Sequence, residues 1–179
     1  MASSSIALRA AVDGDFDAIT SIYADHVERG TASFELASPD RAEMRRRWRE
    51  VVDGGLPYMV ATLPPDAAIV GYAYAGPYRA RPAYCFTVED SVYVAASSMR
   101  RGTGRALLAA IIAACERLGY RQMIAVIGGS DNAASIALHA ALGFEHAGCL
   151  TSVGRKFERW IDTVLMQRAL GAGATTAPR

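Results

Sequence analysis

The stretch Val92–Leu108, VYVAASSMRRGTGRALL, decides how the chain reads. Aromatic and β-branched residues run into a glycine turn. A helical period of apolar residues starts at once, with Leu107, Leu108, Ile111, Ile112, Cys115 and Leu118 on one face and Gly119 as its stop. The first N–H groups of such a helix lack internal partners, and the helix dipole is positive at that end. Together they form an anion site. Gly102 and Gly104 remove side chains that would keep a phosphate at a distance, and Arg100, Arg101 and Arg105 add charge. A tight turn with solvated arginines is the plainer reading of the same residues. A P-loop is excluded because the lysine it needs is missing. The dinucleotide fingerprint is excluded because Leu107 stands at its third glycine.

Upstream, SIALRAA predicts a short strand. DGDFDAITSIYADHVERG predicts a helix with Phe16, Ile19, Ile22, Tyr23 and Val27 inward, Asp13 or Asp15 as cap and Gly30 as stop. A second helix is expected from SPD, with Ser38 as cap and Pro39 in the first turn. It carries Met44, Trp48, Val51 and Val52 on one face and most of Arg45, Arg46, Arg47 and Arg49 on a solvated one. PYMVATL and AIVGYAYAGP predict two strands joined by a PPDA turn, and YCFTVEDSVYVAA a long third strand. Downstream, RQMIAVIGG reads as a strand, NAASIALHAALG as a short helix, and FEHAGCLTSVG and WIDTVLMQRAL as closing strands. The order β-α-α-β-β-β-α-β-α-β-β predicts one α/β domain on a mixed sheet, over residues 6–170. Residues 1–5 read as a flexible N-terminus and 171–179 as a disordered tail.

The chain has 179 residues, about one domain's length. Its net charge of +1 provides no global field for nucleic acid or an acidic membrane. Cys85, Cys115 and Cys149 are odd in number and scattered, which argues against a disulfide framework or a zinc site and suits a reducing compartment. His26, His139 and His146 have no metal-ligand spacing, so no metal is expected. No apolar run is long enough to cross a bilayer, and MASSSIALRA does not read as a signal peptide. A cytoplasmic location is the expectation.

The segment Val92–Leu108 resembles the pyrophosphate-binding segment of the GCN5-related N-acetyltransferases, whose pattern is Gln/Arg-x-x-Gly-x-Gly/Ala. Aligned on Gly102 and Gly104, the first position is Met99, a departure that removes a side-chain contact and leaves the backbone amides. A frame from Arg101 through Gly104 to Ala106 also matches. NAASIALHAALGF resembles the family's second helix, with Asn132 and Ser135 on its positions and His139 where many members carry tyrosine. YAGPYRARPAYCFTVEDSVYV, AVIGGSDNAASIALHAALGF and GRKFERWIDTVLMQ are similar to the branch acting on phosphinothricin, methionine sulfoximine and methionine sulfone. The resemblance runs from about Leu8 to Leu170.

That resemblance implies a centrally splayed sheet, acetyl-CoA as co-substrate and a homodimer whose pocket draws on both subunits. It implies Glu89 as the base for the substrate amine. It implies His139 as a relay or as acid for the leaving thiolate, with a structural histidine as the alternative. Alternation sends Asp90 to the face opposite Glu89. Backbone N–H groups over Val92, Tyr93 and Val94 would face the oxyanion of a tetrahedral intermediate if the strand splays there. The pyrophosphate would lie on Arg100–Arg105, Thr103 included, with Asn132 and Ser135 nearby. Arg79, Arg81, Tyr84, Phe34, Thr87, Val126 and Gly128 are the substrate-binding candidates, because arginine pairs well with carboxylate and phosphinate groups. Cys85 has no histidine partner near it in sequence, so direct transfer is favoured over a covalent acetyl-enzyme. The rivals are an acetyltransferase for a peptide N-terminus, polyamine or aminoglycoside, and a non-catalytic coenzyme A-binding module.

Overall fold

A computed structural model describes residues 6–178. Seven strands form one sheet in the order β1-β2-β3-β4-β5-β7-β6. They are β1 (Ala7–Ala10), β2 (Tyr58–Leu63), β3 (Ala68–Pro77), β4 (Thr87–Val94), β5 (Gln122–Gly128), β6 (Glu145–Lys156) and β7 (Arg159–Ala169). Four helices cover the sheet: α1 (Phe16–Arg29), α2 (Arg41–Asp53), α3 (Thr103–Arg117) and α4 (Ala133–Ala140). Strands β4 and β5 run parallel, and every other neighbouring pair is antiparallel. The expected order of elements and the mixed sheet are both present. The flexible N-terminus expected at residues 1–5 lies outside the described residues. Residues 171–178 form turns, with Arg121 donating to the Gly173 carbonyl and to Thr176.

The two faces of the sheet are built from different residue sizes. Toward α1 and α2, β2 and β3 present Tyr58, Val60 and Tyr72, which close over Phe16, Ile19, Tyr23, Val27 and Met44. Toward α3, β3 presents Gly71, Ala73 and Ala75 under Leu107, Leu108 and Ile111. Small residues on that face let α3 approach closely. A Cβ on Gly71 would stand 2.9 Å from the Tyr93 carbonyl oxygen and 3.2 Å from Leu107.

Local rules account for most helix ends. Asp15 precedes α1; its carboxylate accepts the Val12 N–H at 2.8 Å and two hydrogen bonds from Arg9 at 2.7 Å, which ties the helix start to β1. The second helix starts later than its sequence suggests. Its cap is Asp40, which accepts from the Glu43 N–H at 2.8 Å, while the Ser38 hydroxyl donates to Glu28. A carboxylate outcompeted the hydroxyl because it stands one residue before the first helical position. The arginine face of α2 is also less idle than a solvated face: Arg47 reaches Glu43 and Glu35. The strand expected from Tyr84 starts only at Thr87, because Pro82–Tyr84 form a short 3₁₀ turn. Cys85 is therefore an exposed loop residue rather than part of the strand.

Candidate active site

Strands β4 and β5 pair from Thr87↔Gln122 to Asp90↔Ala125 and no further, although both continue. Each stays with its outer neighbour instead: Val94 remains opposite Gly71 of β3, and Gly128 opposite Thr163 of β7. The sheet therefore splays beyond Asp90 and leaves a cleft of about 270 Å³. The Ala95 N–H bonds the Val70 carbonyl at 2.9 Å on the β3 side. Alternation then turns the N–H groups of Val92 and Val94 toward the side that β5 has left. The Tyr93 side chain stands out of the sheet toward α1, edge-on to Tyr23 at 5.0 Å and stacked on Tyr72 at 5.1 Å.

At the end of β4 the chain turns into α3 through Gly102, whose φ of +84° is the left-handed conformation that glycine adopts without strain. Nothing lies near a Cβ built there. Gly104 serves differently from its expected part. It is crowded, with a Cβ there meeting Leu138 at 3.3 Å and Val94 at 3.6 Å, so it lets α3, α4 and β4 converge. The Thr103 side chain is buried and its hydroxyl faces the Ser98 carbonyl, so only its backbone is available to a ligand. Arg100, Arg101 and Arg105 are exposed and make no ion pair among the described residues. Asn132 caps α4 by accepting from the Ser135 N–H at 3.2 Å, and both residues line the cleft.

Glu89 and Asp90 lie at the apex of the splay, on opposite faces. Both border the cleft, because it passes between the separated strands. Burial and then the neighbouring charge of Asp90 push the Glu89 carboxyl above the usual carboxylate range, with Arg79 opposing. His139 is buried, with Nε2 at 3.0 Å from Asp90 Oδ2 and Nδ1 at 2.7 Å from the Ser135 carbonyl oxygen. Burial works against its charge, but the Asp90 hydrogen bond and charge, with the Ser135 carbonyl, raise its pKa above the ordinary value.

The segment after α1 closes the opposite wall. Phe34 lies against Gly128 of β5 and Gly154 of β6, where a Cβ on Gly154 would collide with its ring. A Cβ on Gly128 would collide with the Thr31 carbonyl oxygen. The buried Lys156 ammonium donates to the Ser33 carbonyl at 2.8 Å, and Ser33 and Glu35 both bond the Tyr23 hydroxyl at 2.9 Å. Phe34, Val126 and Gly128 thus line the cleft as expected of substrate-binding residues, whereas Arg79, Arg81, Tyr84 and Thr87 do not. Arg79 stacks over Tyr78 at 5.0 Å, and Tyr78 meets Tyr84 edge-on at 5.7 Å, within the exposed loop before β4.

Sequence reasoning missed Asp90 as the partner of His139 and Lys156 as the anchor of the Phe34 segment. The two pairs are separated by 49 and 123 residues, beyond any local pattern. Among the described residues, no cluster of three or more His, Cys, Asp or Glu side chains could hold a metal ion, and no helix is long and apolar enough to cross a membrane.

Known proteins share this architecture. An acetyltransferase (GNAT) domain model matches residues 8–165. A phosphinothricin N-acetyltransferase of Alcaligenes faecalis is 57% identical over 171 residues, covering 96% of this chain and 86% of the relative. An L-methionine sulfoximine/L-methionine sulfone acetyltransferase of Pseudomonas aeruginosa is 40% identical over 166 residues, covering 91% of this chain and 94% of the relative. The crystal structure of a phosphinothricin acetyltransferase from Sinorhizobium meliloti in complex with acetyl-CoA superposes with a TM-score of 0.94 at 46% identity, covering 97% of this chain and 93% of that one.

Proposed function

The chain belongs to the GNAT acetyltransferase family, and from that premise we propose that it transfers acetyl from acetyl-CoA to the α-amino group of a small amino acid analogue. The analogues are those its relatives are named for: phosphinothricin, methionine sulfoximine and methionine sulfone. The observation that carries this reading is the end of β4/β5 pairing at Asp90↔Ala125, which opens a cleft between the two strands, lined by Glu89 and by the β4 residues Ser91 to Tyr93.

Each chain residue has a part that its geometry suits. The first-turn amides of α3 receive the pyrophosphate where Gly102 leaves the backbone bare, with Arg100, Arg101 and Arg105 at its edge. The β4 amides at Val92 and Val94 hold the thioester strand-fashion and face the charge that develops on its carbonyl oxygen. Glu89 accepts the amine proton, and its raised pKa brings it closer to the ammonium it must deprotonate. The nitrogen–carbon bond forms as the carbon–sulfur bond breaks, and coenzyme A leaves as its thiolate. Arg79 lies outside the cleft in the loop before β4, with Arg81 and Tyr84; its charge acts on Glu89, and it is the cation proposed for the substrate's carboxylate or phosphinate. Phe34 and Val126 form the apolar wall.

A polycationic amine suits this cleft poorly. Asp90 is already matched by His139, which leaves Glu89 as the cleft carboxylate without an ion-pair partner among the described residues, with the charge of Arg79 acting on it. A homodimer is part of the reading. Leu150, Val153, Phe157 and Trp160 are exposed along the β6–β7 hairpin, Trp160 at 65%, and a second copy would cover them. The location proposed is cytoplasmic.

The test is thiol release from acetyl-CoA over a panel of phosphinothricin, methionine sulfoximine, methionine sulfone, ordinary amino acids, spermidine, an aminoglycoside and a short peptide. Turnover confined to the three analogues supports the reading. Faster turnover on the peptide, the polyamine or the aminoglycoside overturns the substrate class.

A further inference from the structure

Asp90 and His139 come from different elements and meet where the sheet opens. Asp90 is the last residue of β4 still paired to β5, and His139 lies in the last turn of α4. Nδ1 of His139 faces the Ser135 carbonyl oxygen at 2.7 Å. A carbonyl oxygen only accepts, so Nδ1 carries a proton. Nε2 faces Asp90 Oδ2 at 3.0 Å, with the two side chains only 6% and 2% exposed. Both ring nitrogens are therefore committed, and neither directs a spare N–H or lone pair into the cleft. Phe144 closes the ring edge-on at 5.0 Å. The other oxygen of Asp90, Oδ1, is buried with no partner, so the imidazole is the group that compensates this carboxylate.

We propose that Asp90 and His139 form an ion pair through neutrality that pins α4 to β4 at the apex of the splay, so that His139 holds the cleft open and does not carry the amine proton. Asp90 is on this view a positioning residue. The inference rests on the acetyltransferase reading above, with Glu89 as the base, and it narrows that reading by removing His139 from the proton path.

The surroundings agree with a charged pair. Glu89 is next along β4, and burial with the neighbouring Asp90 carboxyl pushes its own carboxyl above the usual range. From α3, Cys115 faces Asp90; burial first and then the Asp90 charge push its thiol up to about 12, so it stays protonated and neutral. Glu116 acts on Cys115, and Arg79 acts on Glu89 from the loop before β4. From α4 itself only the uncharged Ser135 reaches the ring, its hydroxyl 3.4 Å from Nδ1. No second cation stands close enough to displace the imidazolium from Asp90 among the described residues.

The experiment is a long-range proton–nitrogen correlation on protein labelled with ¹⁵N-histidine, followed from about pH 6 to about pH 9, the window in which an ordinary histidine loses its charge. His139 is expected to keep both ring nitrogens protonated through neutrality. One unprotonated ring nitrogen at neutral pH would overturn the pair. Asp90→Asn supplies the second arm: its amide can donate to Nε2, so His139 should become a neutral ring at neutral pH, and a ring that stays doubly protonated would mean Asp90 is not its partner. Kinetics give a third reading. His139→Gln should lower kcat/KM by a similar factor at every pH and leave the shape of the profile unchanged. Loss of a limb between about pH 6 and pH 8 in that variant would show that His139 carries a proton in turnover, and would overturn the proposal. The nitrogen measurement needs no substrate. Silence across the amine panel would therefore sink the proposed substrate class while the pair stood, and a titrating ring would sink the pair while turnover stood.

Discussion

The α3 N-terminus and the Phe34 wall both depend on glycine, and they use it differently. At α3 the means are local. Gly102 turns left-handed, nothing crowds it, and the helix that follows supplies free amides within a few residues. At the Phe34 wall the means are distant. Gly128 and Gly154 come from two strands, and each admits the same incoming segment because neither has a Cβ. Lys156 then holds that segment through the Ser33 carbonyl. The contrast teaches that a glycine earns its place by backbone conformation in one case and by the approach of another segment in the other. The two kinds respond differently to the same substitution.

The largest effect expected separates chemistry from both regions. Glu89→Gln should cut turnover by about 10²–10⁴ and leave acetyl-CoA affinity nearly unchanged in a calorimetric titration. Turnover within a few-fold of the parent would remove Glu89 as the base. Next, Gly102→Val imposes a left-handed β-branched residue, about 1–3 kcal/mol of backbone strain, and a turn that moves to escape it withdraws its amides, so acetyl-CoA affinity should fall by up to about a hundredfold. Fold stability should fall by up to the same amount, because a left-handed φ strains valine even where the space around it is open. Unaltered affinity would mean that the turn cradles something else.

Gly128→Ala sharpens the contrast from the other side. Its Cβ would meet a backbone oxygen that cannot step aside alone, so the Phe34 segment must move. A loss of about 1–3 kcal/mol in denaturant unfolding is expected, with KM rising for the amino acid analogue more than for acetyl-CoA. Equal changes in both constants would show that the segment does not read the acceptor.

The smallest effect concerns pH and stability. The folded-state pKa of His139 is raised, so the stabilisation from its pair with Asp90 is fully present below the unfolded-state value of about 6.5 and is lost as pH rises through the folded value. Unfolding free energy should therefore fall with pH above neutrality, and His139→Gln should flatten that slope. An unchanged slope in the variant would assign it to another group.

Much of the frame was legible along the chain. The apolar periods of α1 and α3, the glycine turn and the strand TVEDSVYV each follow from residues within one or two turns of one another. Alternation alone placed Glu89 and Asp90 on opposite faces. Where reading failed, a nearby competitor or a distant partner was responsible. Asp40 displaced Ser38 as cap because it stands immediately before the helix. Arg47 left its solvated face because Glu35, 12 residues upstream, came within reach.

The sequence by itself determined the order of elements, the glycine turn before α3 and the carboxylate on the inner strand, since each depends on backbone preference and short-range spacing. Tertiary structure alone decided that β4 and β5 part after Asp90, that His139 closes on Asp90, and that Phe34 docks on Gly128 and Gly154. Those outcomes depend on which outer strand or helix holds each residue more strongly, a balance among groups tens of residues apart that no local period records.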